Sequence, residues 1–197
     1  MRRDLNAFGN PVVYTPNFDR LARMGVVFNK AYNQAPLCAP SRASLMTGYL
    51  PDKTGVYDLY PTFRETLPNA ITLAQMFKNN DYFTCRIGKI FHQGVPSQIG
   101  QAGHDDPDSW TTTYNPIGKD KTDEYLLVTD APMLGTYLAM DCIDDELTDA
   151  ISANVALSII RQRSGHGGGG AYGGVSLGQA NSQPFFLAVG FYRPHIP

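Results

Sequence analysis

The stretch Tyr82-Phe83-Thr84-Cys85-Arg86-Ile87-Gly88-Lys89 decides the architecture. Apolar and polar side chains alternate up to Ile87 and stop at glycine, the pattern of a half-buried strand, with Cys85 on the face of Phe83 and Ile87. About a hundred residues on, Pro184-Phe185-Phe186-Leu187-Ala188-Val189-Gly190-Phe191 is apolar almost throughout, as in a parallel strand buried on both faces. Helix signals lie around the two strands. Thr15 as N-cap, Pro16 at the first position, apolar Phe18, Leu21 and Ala22, and Gly25 as terminator read as a short helix. Val26-Val27-Phe28 reads as a brief extended run and residues 32–40 as a loop. Residues 41–47 resume as a helix, Pro40 suiting its first position, until Gly48. Residues 72–79 form another helix. The longest helix covers residues 146–163, capped by Asp144 or Asp145, with Leu147, Ile151, Val155, Leu157 and Ile159 as its apolar stripe and Arg161 and Arg163 at its end. Helices alternating with short apolar strands give an α/β fold.

Between these elements, residues 94–140 read as a polar surface excursion and residues 165–182 as a flexible glycine-rich connector. The 19 Gly and 14 Pro in 197 residues exceed the usual combined share of about 12% and announce long loops. With 16 basic against 18 acidic residues, a net charge of −2 and no Lys/Arg run, the chain lacks the footprint of a nucleic-acid or anionic-membrane binder. No apolar run approaches the roughly 20 residues that span a bilayer, and Met1-Arg2-Arg3-Asp4-Leu5-Asn6 is not the apolar stretch of a signal peptide. Cys38, Cys85 and Cys142 are too few and too widely spaced for a disulfide scaffold or a CxxC metal site. At most one pair can form, and Cys85, on a core face, reads as a buried thiol.

The chemistry concentrates in Cys38-Ala39-Pro40-Ser41-Arg42-Ala43-Ser44-Leu45-Met46-Thr47-Gly48, in Gly88-Lys89-Ile90-Phe91-His92 and in Tyr192-Arg193-Pro194-His195. In α/β sheets ligands collect at the carboxyl ends of strands, where Lys89, His92 and His195 fall. Cys38 stands just before a helix start, whose free amides and positive dipole end suit an anion. An ester that is itself an anion repels nucleophiles, so its hydrolysis needs a positioned nucleophile, cationic or donor groups on the non-bridging oxygens, and a proton source for the leaving alkoxide.

The first of these stretches resembles, nearly residue for residue, the sulfatase signature C-x-P-S-R with its Leu/Met-x-Thr-Gly tail, and the other two follow in family order. The resemblance implies that Cys38 is converted to formylglycine by a maturation enzyme, with Pro40, Ser41 and Arg42 among the residues recognised. It implies that Arg42 holds the formylglycine hydroxylate, that Lys89 binds sulfate, that His92 accepts the hydroxyl proton as sulfate leaves, and that His195 is the sulfate ligand and general acid. His166 reads as exposed in a glycine tract, and His104-Asp105-Asp106 as a loop flanking the cleft, not a metal cluster. GKIFH, the segment from His104 to Trp110 and FFLAVGFYRPHIP are similar to the iduronate-2-sulfatase branch and its bacterial relatives, implying a sulfated carbohydrate substrate and a periplasmic, secreted or lysosomal setting. The implied fold is an alkaline-phosphatase-like three-layer sandwich with a mostly parallel sheet.

The resemblance also implies a divalent cation, normally Ca2+, held by an Asp-Asp pair at the end of a first strand, the formylglycine oxygen from Cys38, and a later Asp with His or Asn; oxygen donors suit a hard cation. Cys38 alone of that set lies in this chain. Residues 1–197 thus read as a partial catalytic domain lacking the first strand and C-terminal part, expected to show little activity and poor solubility alone. Two other readings stand beside it: a formylglycine-dependent phosphodiester or phosphonate hydrolase, and a truncated non-catalytic product.

Overall fold

In the computed structural model, residues 4–126, 128–129, 136–137, 140–165 and 183–195 are described. The chain divides into two units, residues 1–33 and 34–197. In the first, a 3-10 turn at Asn6–Phe8 closes on Gly9, and α1 spans Pro16–Met24 with Thr15 at its N-cap position. Val26-Val27-Phe28 does not become a strand. Among the described residues of this unit there is no strand for it to pair with.

The second unit contains α2 (Cys38–Thr47), α3 (Pro51–Thr54), α4 (Phe63–Thr66), α5 (Leu73–Lys78), β1 (Phe83–Gly88), β2 (Thr112–Tyr114), α6 (Lys119–Thr122), β3 (Val128–Thr129), β4 (Thr136–Tyr137), α7 (Thr148–Arg163) and β5 (Phe185–Gly190). The main sheet has the order β2-β1-β5 and is parallel throughout, with Phe83 opposite Phe185 and Gly88 opposite Gly190. β3 and β4 form a separate antiparallel pair.

Each face of the sheet has its own core. Cys85 and Ile87 pack on Val155, Ala156 and Ile159 of α7, with Phe83, Leu187 and Val189 beside them. On the other face Phe186 and Ala188 pack against Ala39, Ala43, Met46, Ala74, Phe91 and Trp110. β1 is therefore buried on both faces, not half-buried as its alternation predicts. Its polar residues are buried because each is paired: the Thr84 hydroxyl donates to Ser109 O at 3.0 Å, and Arg86 meets Asp105. Conversely, β5 is partly exposed along its whole length although its apolar sequence predicts full burial. β1 covers one edge, and among the described residues no strand pairs with the other.

Two helix starts and one strand differ most from the sequence reading. α2 begins at Cys38 itself, so Pro40 occupies its third position; the first intrahelical bond runs from Ser41 N–H to Leu37 O at 3.1 Å. α7 begins at Thr148, because Asp144–Glu146 forms a 3-10 turn and Asp120 accepts both the Thr148 amide (2.8 Å) and hydroxyl (2.7 Å) in place of a cap from Asp144 or Asp145. Leu157 is exposed, and the α7 face instead buries Ser152 and Ser158, whose hydroxyls return to Thr148 O and Asn154 O. β2 arises inside the stretch read as a polar excursion; three residues, two of them Thr, carry too little pattern to announce a strand. Most of the glycine-rich connector, His166 included, lies outside the described residues. All three cysteines are free, and no described helix is long and apolar enough to cross a membrane.

The ends of β1 and β5 approach so closely that only glycine fits. A Cβ on Gly190 would stand 1.8 Å from Lys89 O, and one on Gly88, at φ +66°, 2.2 Å from Gly190 O. Gly190→Ala is expected to cost about 3 kcal/mol or more, since backbone must move. Gly25→Ala, whose Cβ would meet only Leu21 O at 3.6 Å, is expected to change stability by less than about 1 kcal/mol, both variants being compared with the parent by urea titration.

Candidate active site

The paired glycines bring both strands to an end at one level, where the Lys89 amide donates to Gly190 O at 2.9 Å. Beyond that level the chain turns away from β1 through Lys89 and His92, and away from β5 through Tyr192 and His195. α2 presents its N-terminus, with Cys38 half-buried at the first position, to the same place. Arg42, one turn along, fastens α2 to the turn after β1: its Nη1 donates to Lys89 O and to Ile90 O, each at 2.8 Å.

The electrostatics of this end are lopsided. Lys89 is 2% exposed, and its Nζ has no hydrogen-bond partner among the described residues. Burial pulls the Lys89 pKa down, the Cys38 thiol draws it up and Arg42 lowers it again. Burial likewise lowers Arg42, with Cys38 opposing. The His92 Nδ1 is buried without a partner among the described residues, and its ring lies 5.9 Å from that of His104 in an edge contact. His92 titrates at about 4, lowered first by burial and then by Lys89, His104, Arg42 and His195. Those same influences show that Cys38, Arg42, Lys89, His92 and His195 share one neighbourhood. Cys85 is core, its thiol pushed up to about 12 chiefly by burial.

His104 joins this neighbourhood, on the loop that the sequence reading set beside the cleft. Its amide donates to His92 O at 2.9 Å, folding the loop back over the turn. Beside it is a cavity of about 190 Å3 lined by Ala39, Phe63, Arg64, Phe91, His92 and His104 among others. Asp105 and Asp106 hold this loop in place. Asp105 pairs with the buried Arg86 (2.7 Å) and accepts from Trp110 Nε1 (3.0 Å); Asp106 takes the Arg64 guanidinium through both oxygens (2.9 and 3.0 Å). Their carboxylates are spent on arginine. Among the described residues no group of three His, Cys, Asp or Glu side chains is placed to hold a metal ion. Arg42 and Lys89, the charged side chains that act on Cys38, are cations, so the described residues do not by themselves suit a hard cation.

The sulfatase family model matches residues 1–197. The chain belongs to the sulfatase family. Iduronate 2-sulfatase of Homo sapiens is 32% identical over 203 residues, covering all of this chain and 34% of the human protein. A sulfatase of Formosa agariphila is 31% identical, covering 98% of this chain and 38% of that protein. The chain spans little more than a third of these relatives. The solved structure of Ps i-CgsB in complex with k-i-k-neocarrahexaose aligns at TM-score 0.61 with 22% identity, covering 98% of this chain and 43% of that one, which supports the α/β fold.

Two outcomes follow from the geometry. Asp105→Ala strands the Arg86 guanidinium in the core and is expected to cost about 3–5 kcal/mol by urea unfolding. His92 is held neutral: the folded chain protonates it near 4 and the unfolded chain near 6.5. The unfolded state therefore binds more protons between these values, and this contribution to stability, complete above pH 6.5, drains away as pH falls towards 4. His92→Gln is expected to flatten the unfolding free energy over that interval; a slope identical to that of the parent chain contradicts the assignment.

Proposed function

We propose that this chain carries the nucleophile and the sulfate-holding side chains of a sulfuric ester hydrolase acting on a sulfated carbohydrate. The observation that carries this reading is the convergence of Cys38, Arg42, Lys89, His92 and His195 at the carboxyl ends of β1 and β5, with a surplus of positive charge. The carbohydrate class is supported by the neocarrahexaose bound to Ps i-CgsB and by the iduronate named in the human relative.

Conversion of Cys38 to formylglycine would supply a hydrated aldehyde, of which one hydroxyl attacks sulfur and the other serves to expel sulfate. The remaining work falls to side chains already in place. Lys89, a buried ammonium without an acceptor among the described residues, takes the non-bridging sulfate oxygens; an incoming anion offsets the burial, and the smaller repulsion from Arg42, that lower its pKa. Arg42 uses Nη1 to fix the Lys89 and Ile90 carbonyls while its charge stays beside residue 38. His92, neutral near pH 7 and a weak base in the empty site, offers its Nδ1, which has no partner among the described residues, to the proton once a bound anion raises its basicity. His195 protonates the leaving alcohol. Calcium, where bound, would need ligands beyond the described residues and would add positive charge beside the sulfate oxygens. We read residues 1–197 as one part of such a catalytic domain.

Three measurements test the reading. Coexpressed with a formylglycine-generating enzyme, the peptide containing Cys38 is expected to lose the mass of the thiol and gain that of the aldehyde. Inorganic sulfate is expected to raise the melting temperature of the chain, and Lys89→Ala to weaken that response at least tenfold, about 1.4 kcal/mol. Parallel assays of the full-length protein on sulfate and phosphate esters are expected to favour sulfate; preference for a phosphodiester transfers the same site to the other hydrolase class.

A further inference from the structure

His195 lies in a short turn after β5, and the element that fixes that turn is α7. The Asp149 carboxylate, in the first turn of α7, accepts the Tyr192 amide at Oδ1 (2.8 Å) and the Arg193 amide at Oδ2 (2.9 Å). Both oxygens are thus used on consecutive backbone amides three and two residues before His195, whose own amide closes on Tyr192 O at 3.0 Å. Charge-assisted bonds to two adjacent amides fix both the position and the tilt of a peptide plane.

Neighbouring contacts reinforce the placement. Asp120, already bonded to the Thr148 amide and hydroxyl at the start of α7, faces the Arg193 guanidinium at 3.5 Å. On its other side the Tyr192 hydroxyl donates to Gln93 Oε1 at 2.9 Å, and buried Gln93, next to His92, donates in turn to Gln101 O. The turn bearing His195 is therefore held from α7 and tied directly to the turn bearing His92.

We propose that Asp149 is a positioning residue for the sulfate site: it sets the His195 imidazole against Lys89 and His92 without touching substrate. This rests on the role assigned to His195 above. A residue that only strengthens the fold would lower stability when removed and leave the pose of His195 in the folded fraction unchanged. A positioning residue loosens His195 itself.

The test uses the 197-residue chain, labelled with 15N, as parent, Asp149→Ala and Asp149→Asn, with inorganic sulfate as probe. In the parent, the His195 ring nitrogens are expected to relax as an ordered group and to shift on adding sulfate together with those of His92. In Asp149→Ala, the Tyr192 and Arg193 amides are expected to exchange faster, His195 to become mobile on the nanosecond scale, and its sulfate-induced shift to require about tenfold more sulfate, while His92 still responds. Asp149→Asn keeps one acceptor oxygen and is expected to fall between the two; it carries the test if the alanine variant does not fold. Unchanged His195 relaxation in a folded variant overturns the proposal. If the parent ignores sulfate while the variants loosen His195, the sulfate-site reading fails and the positioning role stands.

Discussion

The site depends on the close meeting of β1 and β5 at Gly88 and Gly190. Any Cβ there would collide with the facing backbone, so the two strands end in register and the Lys89 amide can reach Gly190 O. Because the strands are parallel and adjacent, both turns leave the sheet on the same side, carrying Lys89 and His92 from one and His195 from the other. α2 reaches that level independently, and the two carbonyl bonds from Arg42 lock it to the turn after β1.

What this geometry creates, among the described residues, is a surplus of positive charge. Lys89 is as buried as a core residue yet has no acceptor among them, a costly state unless something else supplies negative charge. The acids nearest the loop cannot supply it, since Arg86 and Arg64 engage Asp105 and Asp106. His92 responds by staying neutral. On the proposed reading, such a site would stabilise an anion with donors fixed before it arrives, which is how preorganised sites lower barriers to chemistry on charged groups.

Much of this was legible in the sequence where local pattern and chemistry coincided. The alternation of residues 82–87 and the glycines ending both apolar runs placed two strands, and the residues after them supplied Lys89, His92 and His195. Long-range pairing was not legible. Nothing local says that Arg86 and Arg64 spend Asp105 and Asp106, that Asp120 caps α7 from 28 residues away, or that the loop carrying His104 folds back onto His92. The burial of β1 on both faces and the partial exposure of β5 likewise depend on which neighbours pair with each strand, and the three residues of β2 offer no period to detect.

An experimental structure of the protein soaked with sulfate tests the central claim most directly. The account predicts a tetrahedral anion within hydrogen-bond distance of Lys89 Nζ and the His195 ring, facing the side chain at position 38. An anion bound elsewhere, or a Lys89 Nζ satisfied by an internal acceptor with the site left empty at saturating sulfate, would contradict it.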